Sequence, residues 1–310
     1  DHLTDLGVTH IHLLPFFDYY SDEDAKNFKE NYNWGYNPQN YNVPEGTYAT
    51  DAADGNVRIK ELKQLVLAFH KKGLGVVMDV VYNHTGQTDH SNFNQLVPGY
   101  YYRHTSSGKF SDATACGNET ASEKSMMQKF MIESLVYWVK EYHIDGFRFD
   151  LMGVHDIETM NLISAALHKI NPGILLYGEG WTAGSSPLPD SLRALKKNVS
   201  ALNGIAVFSD DIRDGIKGSW SDHTEKGFVS NKPGTEESIK FGIVASCNHP
   251  QINYNKVNYS NAPYATAPDN IVSYAECHDN HTLWDKLAIS APDATVEERK
   301  EMHKLALSIV

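Results

Sequence analysis

The sequence predicts an α/β fold built on parallel strands, read as a (β/α)8 barrel, on three observations. β-prone runs alternate with segments of helical period, and those runs are nearly continuous in apolar character, as strands covered on both faces require. Acids also stand at the C-terminal tips of several runs, where barrel enzymes of this class place functional residues. No glycine-rich phosphate signature follows an early strand, which argues against a doubly wound nucleotide-binding fold.

The first strand is expected over 8–14, between Gly7 and Pro15. Residues 16–54 carry no sustained period and read as an elaborated loop. Ile59, Leu62, Val66 and Phe69 then recur at helical spacing within 56–72, and Gly73 supplies a stop. A strand over 75–81 follows, interrupted by Asp79. After a polar stretch, Met127, Phe130, Met131, Leu135, Trp138, Val139 and Tyr142 mark a helix that feeds a strand over 144–150. A helix over 156–170, closed by Asn171-Pro172-Gly173, feeds a strand over 174–179. Weaker and stronger strand candidates lie at 204–208 and 271–277, separated in part by a proline-bearing loop over 248–269. The segment 297–310 has helical period. These are about six strands against the eight of a closed barrel. The last helix meets Val310 without a stop signal, so the expectation is one partial barrel domain over 1–310, covering about strands 2 to 7.

Bulk composition narrows the function. Lys and Arg total 27 against 39 Asp and Glu, a formal net charge of −12. That charge repels a polyanion, so no nucleic-acid partner is expected. No apolar run is long enough to span a membrane. Cys116, Cys247 and Cys277 are widely separated and suggest neither a disulfide framework nor a zinc site. Aromatic residues in Gly- and Asn-rich segments suit a cleft for a neutral sugar, although buried loop aromatics are an equally ordinary use.

Asp150, Glu179 and Asp279 end three separate strand candidates. Glycosidic bond chemistry needs one carboxylate to attack and one carboxylic acid to protonate the leaving oxygen, which points to Asp150 as nucleophile and Glu179 as acid/base. Arg148, two positions before Asp150 and on the same strand face, is placed to hold that carboxylate ionised. The plain alternative is a strand-end ion pair and a helix cap. Asp79 reads as a buried supporting acid and His84 as a donor to a sugar hydroxyl. His84, His278 and Asp279 could enter a metal site by composition, but they lack the tight ligand set of zinc.

Four segments resemble the strand-end regions of the α-amylase family of glycoside hydrolases: Asp79-Val80-Val81-Tyr82-Asn83-His84, Gly146 to Gly153, Tyr177 to Trp181, and Cys277 to His281. Within that family, Tyr32-Asn33-Trp34-Gly35-Tyr36-Asn37-Pro38 resembles the signature of type I pullulanases. The resemblance implies endo-hydrolysis of α-1,6 links in pullulan and branched α-glucans such as starch, glycogen and limit dextrins, with retention. It implies that Asp279 stabilises the transition state and that Tyr36 stacks under the sugar. Arg148, His84 and His278 would complete the subsite, with Trp34 and Trp181 shaping the cleft. Asn37 departs from the Asp of many relatives, which changes subsite charge. Calcium, bound by many relatives, has no dedicated motif here, so no cofactor is assigned. Isoamylase, an α-1,4-acting amylase and a non-catalytic glucan-binding piece are the alternatives. The isolated chain is expected to be weakly active or inactive. Compartment and oligomeric state stay open.

Overall fold

The structure, a computed structural model, describes residues 2–22 and 32–310, and the chain divides into two compact units, Asp1–Ile205 and Ala206–Val310. Part of the long loop expected over 16–54, residues 23–31, lies outside the described residues.

In the first unit, α1 (His2–Leu6) leads into β1 (His10–Leu13), followed by β2 (Phe17–Tyr19), β3 (Pro38–Pro44), α2 (Gly55–His70) and β4 (Gly75–Val80). Then come α3 (Asn92–Leu96), α4 (Ser125–Tyr142), β5 (Gly146–Phe149), α5 (Ile157–Ile170) and β6 (Leu175–Gly178). β1, β4, β5 and β6 are parallel neighbours in that order, joined through helices as the apolar runs predict. β4 is buried from Val76 to Val80, and β5 is buried throughout. Strands covered on both faces have no solvent side to signal by alternation. The helix ends follow local chemistry. Asp54 caps α2 at the Asn56 amide, Asp156 caps α5 at the Thr159 amide, and His143, at φ +57°, ends α4. α4 buries Met127, Met131, Leu135 and Trp138, the face its spacing predicts.

The stretch read as irregular holds an antiparallel pair, β2 with β3. Its period is concealed by two register shifts, so Pro38, Tyr41 and Pro44 are buried at intervals of three rather than two.

The second unit contains β7 (Ala206–Phe208), α6 (Asp210–Lys217), α7 (Glu236–Ile243), β8 (Ile271–Val272), α8 (Leu283–Ser290) and α9 (Val296–Ile309), with β7 and β8 parallel. The strand expected over 271–277 is therefore only two residues long. From Ser273 onward, polar groups serve neighbouring helices instead of a ladder: Tyr274 Oη accepts from Arg213, and Glu276 accepts from the Leu283 amide at the start of α8. The helices α6, α7 and α8 have no counterpart in the sequence reading. No helix among the described residues is long and apolar enough to cross a membrane.

Candidate active site

Parallel register builds the floor of the site. Asp79 of β4 lies opposite Arg148 of β5, which lies opposite Tyr177 of β6, so these three side chains form one row across adjacent strands. His12 of β1 joins the row, with Nε2 3.4 Å from Asp79 Oδ2 and Nδ1 3.2 Å from Tyr177 Oη.

Arg148 organises the carboxyl groups. Its Nη1 lies 2.9 Å from Asp79 Oδ1 and 2.8 Å from Asp150 Oδ1, and its Nη2 lies 2.8 Å from Glu179 Oε1. The guanidinium is 3% exposed, so these pairs are screened little by water. Its burial opposes the charge, but Asp79, Glu179 and Asp150 outweigh that and hold the group protonated. Burial likewise opposes the charge of Asp79, yet Arg148, His12 and Tyr36 together hold its carboxyl below the ordinary range.

The two acids at the strand tips are positioned by backbone as well. The Asp150 amide donates to Val80 O at 3.0 Å, and Asn83 Nδ2 donates to Asp150 Oδ2 at 2.8 Å. Leu151 follows with φ +39°, a conformation unfavourable for a branched side chain, and its amide donates to Glu179 Oε2 at 2.8 Å. Gly153 packs where a Cβ would stand 2.5 Å from Trp181 O, so the turn after Asp150 and the turn after Glu179 meet without space for a side chain.

The segment 32–38 reaches the same floor. Tyr36 Oη donates to Asp79 Oδ2 at 2.8 Å, and the Arg148 guanidinium lies 5.9 Å from the Tyr36 ring centroid. Burial and then Asp79 push the Tyr36 phenol far up, which keeps it a donor. Trp34 is 40% exposed and meets Tyr36 edge-on, with centroids 6.5 Å apart. Asn37 Nδ2 donates to Tyr20 O at 2.8 Å, so Asn37 faces the loop backbone. His84 is 2% exposed, and its ring nitrogens meet Asn83 Oδ1 and Tyr36 O. Burial lowers its pKa against the pull of Asp150, and both ring nitrogens face protein oxygens. Trp181 is half-buried beside Glu179 in sequence.

Asp150, Glu179, Arg148, Tyr36 and His84 are thus gathered in the first unit. Asp279 and His278 belong to the second, where His278 Nε2 lies 3.6 Å from Asp279 Oδ1 and the Asp279 side chain is 44% exposed. Asn280 next to it has φ +61°. The sequence reading overlooked Asn83, His12, Tyr177 and the Leu151 amide as supports of the acids. Asn83 carried the one available signal, a polar residue just beyond a buried strand. Among the described residues, no group of three His, Cys, Asp or Glu side chains could hold a metal ion.

The family model for the α-amylase catalytic domain matches residues 1–112. A pullulanase of Bacillus subtilis (strain 168) is 38% identical over 309 residues, 100% of this chain and 42% of that protein. Pullulanase A of Streptococcus pneumoniae serotype 4 is 34% identical over 98% of the chain and 23% of its own length. Among solved structures, a Paenibacillus barengoltzii pullulanase in complex with maltohexaose and α-cyclodextrin superposes with a TM-score of 0.91 at 49% identity, over 100% of this chain and 47% of that one. The chain spans less than half the length of these relatives. The expected fold class, an α/β barrel represented in part, fits these neighbours. With acids gathered at parallel strand tips and likeness running along its whole length, the chain belongs to the α-amylase family of glycoside hydrolases, where its relatives are pullulanases.

Proposed function

We propose that this chain carries the acid machinery of a retaining debranching glycosidase that cleaves α-1,6-glucosidic links within pullulan and branched α-glucans. The observation that supports this reading most is the single Arg148 guanidinium bonded to both Asp150 and Glu179. It ties together two carboxyl groups that stand on adjacent strand tips. Retention requires them about 5–5.5 Å apart.

In this reading Asp150, oriented by Arg148 and Asn83, attacks the anomeric carbon while Glu179 gives its proton to the departing oxygen. Water then enters, Glu179 takes a proton from it, and the bond to Asp150 is released. Glu179 accepts from Arg148 and from the Leu151 amide, contacts that fix the orientation of its carboxyl group. Asp279 would hold sugar hydroxyls as positive charge develops at the ring. Tyr36 would stack beneath the sugar, with Arg148, Trp34 and Trp181 about it and with His84 and Asn37 bracing the loop that carries Tyr36; His278 is proposed to act with its neighbour Asp279.

The test uses a chimera in which this chain replaces the matched segment of the Bacillus subtilis pullulanase. Incubated with pullulan, it should release maltotriose. Attack on linear amylose alone would favour an α-1,4-acting relative. An isoamylase reading, supported by 36% identity to rice isoamylase 3 over 49% of the chain, predicts cleavage of glycogen branches with pullulan left intact.

A further inference from the structure

A second cleft in the first unit has the chemistry of a sugar site but none of the acid machinery. Its volume is about 310 Å³, at the small end of ligand pockets. It lies between β3 and the segment around α3, and among the described residues no Asp, Glu, Lys, Arg or His lines it. Such a lining offers nothing to an ionic ligand.

Its inner wall is aromatic. Tyr82, Tyr41, Phe93 and Tyr101 form a continuous stack, with successive centroids 5.3, 5.8 and 4.6 Å apart, running from full burial at Tyr82 to half-burial at Tyr101. The hydroxyls at the base are already engaged: Thr85 and Ser91 both meet Tyr102 Oη, and Tyr41 Oη donates to His84 O at 2.6 Å. The rim differs. Gln39 is exposed, and its amide has no hydrogen-bond partner among the described residues. Asn92 uses Nδ2 on Asn40 Oδ1 and Asn42 accepts from Ser134 through Oδ1, so among the described residues Asn92 Oδ1 and Asn42 Nδ2 have no hydrogen-bond partner. Neutral groups that both donate and accept, set around aromatic rings, match the hydroxyls and apolar ring faces of a pyranose.

We propose that this cleft is a second saccharide site, binding one end of a neutral α-glucan outside the carboxylate cluster. The choice of α-glucan rests on the proposed function. The cleft backs onto the candidate active site through Tyr41 and Thr85, the latter adjacent to His84. A glucan held there would be tethered close to the acids, raising its effective concentration at them.

The experiment is calorimetric titration of maltotetraose into the protein carrying Asp150→Asn, so that nothing is turned over. Two binding events are expected. Adding Tyr36→Ala should weaken one, and Gln39→Ala with Asn92→Ala should weaken the other by about tenfold, the loss expected for one or two neutral hydrogen bonds. Leu96→Arg, at a lining residue 76% exposed, obstructs the mouth without touching the core and should have the same effect. Thermal melts verify that the variants fold. A single event abolished by Tyr36→Ala, or an isotherm unchanged by both rim variants, overturns the proposal. Sensitivity to the rim variants, together with failure of the Bacillus subtilis chimera with Asp150 intact to cleave pullulan, would sustain the second site while defeating the proposed function.

Discussion

Replacing Arg148 with alanine would strip three carboxyl groups of their shared cation in a place where water reaches little. Breaking a buried pair from one side costs about 3–5 kcal/mol, and chemical denaturation near neutral pH should show a loss of that order. The sign of its pH dependence is distinctive. Without Arg148, burial would raise the folded pKa of Asp79, 0% exposed, above its unfolded value, so protonation would favour the folded state. The deficit of Arg148→Ala relative to the parent should therefore shrink as pH falls. A deficit constant between pH values of about 7 and 5 would show that Asp79 does not depend on Arg148. At this scale Asp150, Arg148 and Glu179 were legible because a charge at the end of an apolar run is costly unless it is used. The row of His12, Asp79, Arg148 and Tyr177 was not, because register between distant strands appears nowhere in local sequence.

Among the elements, α6 shows why part of the second unit was missed. Its sequence, DDIRDGIK, reads as solvent-facing, yet Asp211, Arg213, Asp214 and Lys217 are all buried. Pairing makes that tolerable: Arg213 Nε lies 2.5 Å from Asp214 Oδ1, and Tyr259 Oη donates to Asp214 Oδ2 at 2.6 Å. Only Ser209 as cap and Gly218 at φ +91° were local signs of the helix. Asp214→Ala, which leaves Arg213 without this carboxylate, is expected to lower stability by about 3–5 kcal/mol. Thr295→Ala, which removes the capping box of exposed α9, should cost only about 1 kcal/mol. Equal losses in thermal or urea melts would mean the α6 charges are not the internal pairs described. The β2–β3 pair was missed for a different reason, since its register shifts erase the two-residue period.

For the whole molecule, one buried neutral group adds to the loss of stability in acid. His155 is fully buried, has no hydrogen-bond partner for either ring nitrogen among the described residues, and has its pKa lowered to about 3 by burial and then by Arg103. Its folded pKa lies below the ordinary 6.5, so the unfolded chain binds the extra proton. Stability should therefore be fully present above that value and lost as pH falls toward 3. His155→Leu should flatten urea-derived stability in that window by up to about 1.4 kcal/mol per pH unit. An unchanged slope would refute this role for the imidazole. The parallel α/β class was legible from continuous apolar runs and strand-end acids. The division into two compact units was not, because no linker-like composition stands at residue 205.

The chemistry comes down to which side chain bonds to sugar. The most direct measurement is peptide mass mapping of the Bacillus subtilis chimera after reaction with a fluorinated α-glucosyl fluoride that slows release of the intermediate. The account predicts one glycosyl adduct on Asp150, absent in Asp150→Asn, with hydrolysis in that variant reduced by roughly 10³-fold or more. A glycosyl adduct on another residue, or pullulan cleavage undiminished by Asp150→Asn, would contradict it.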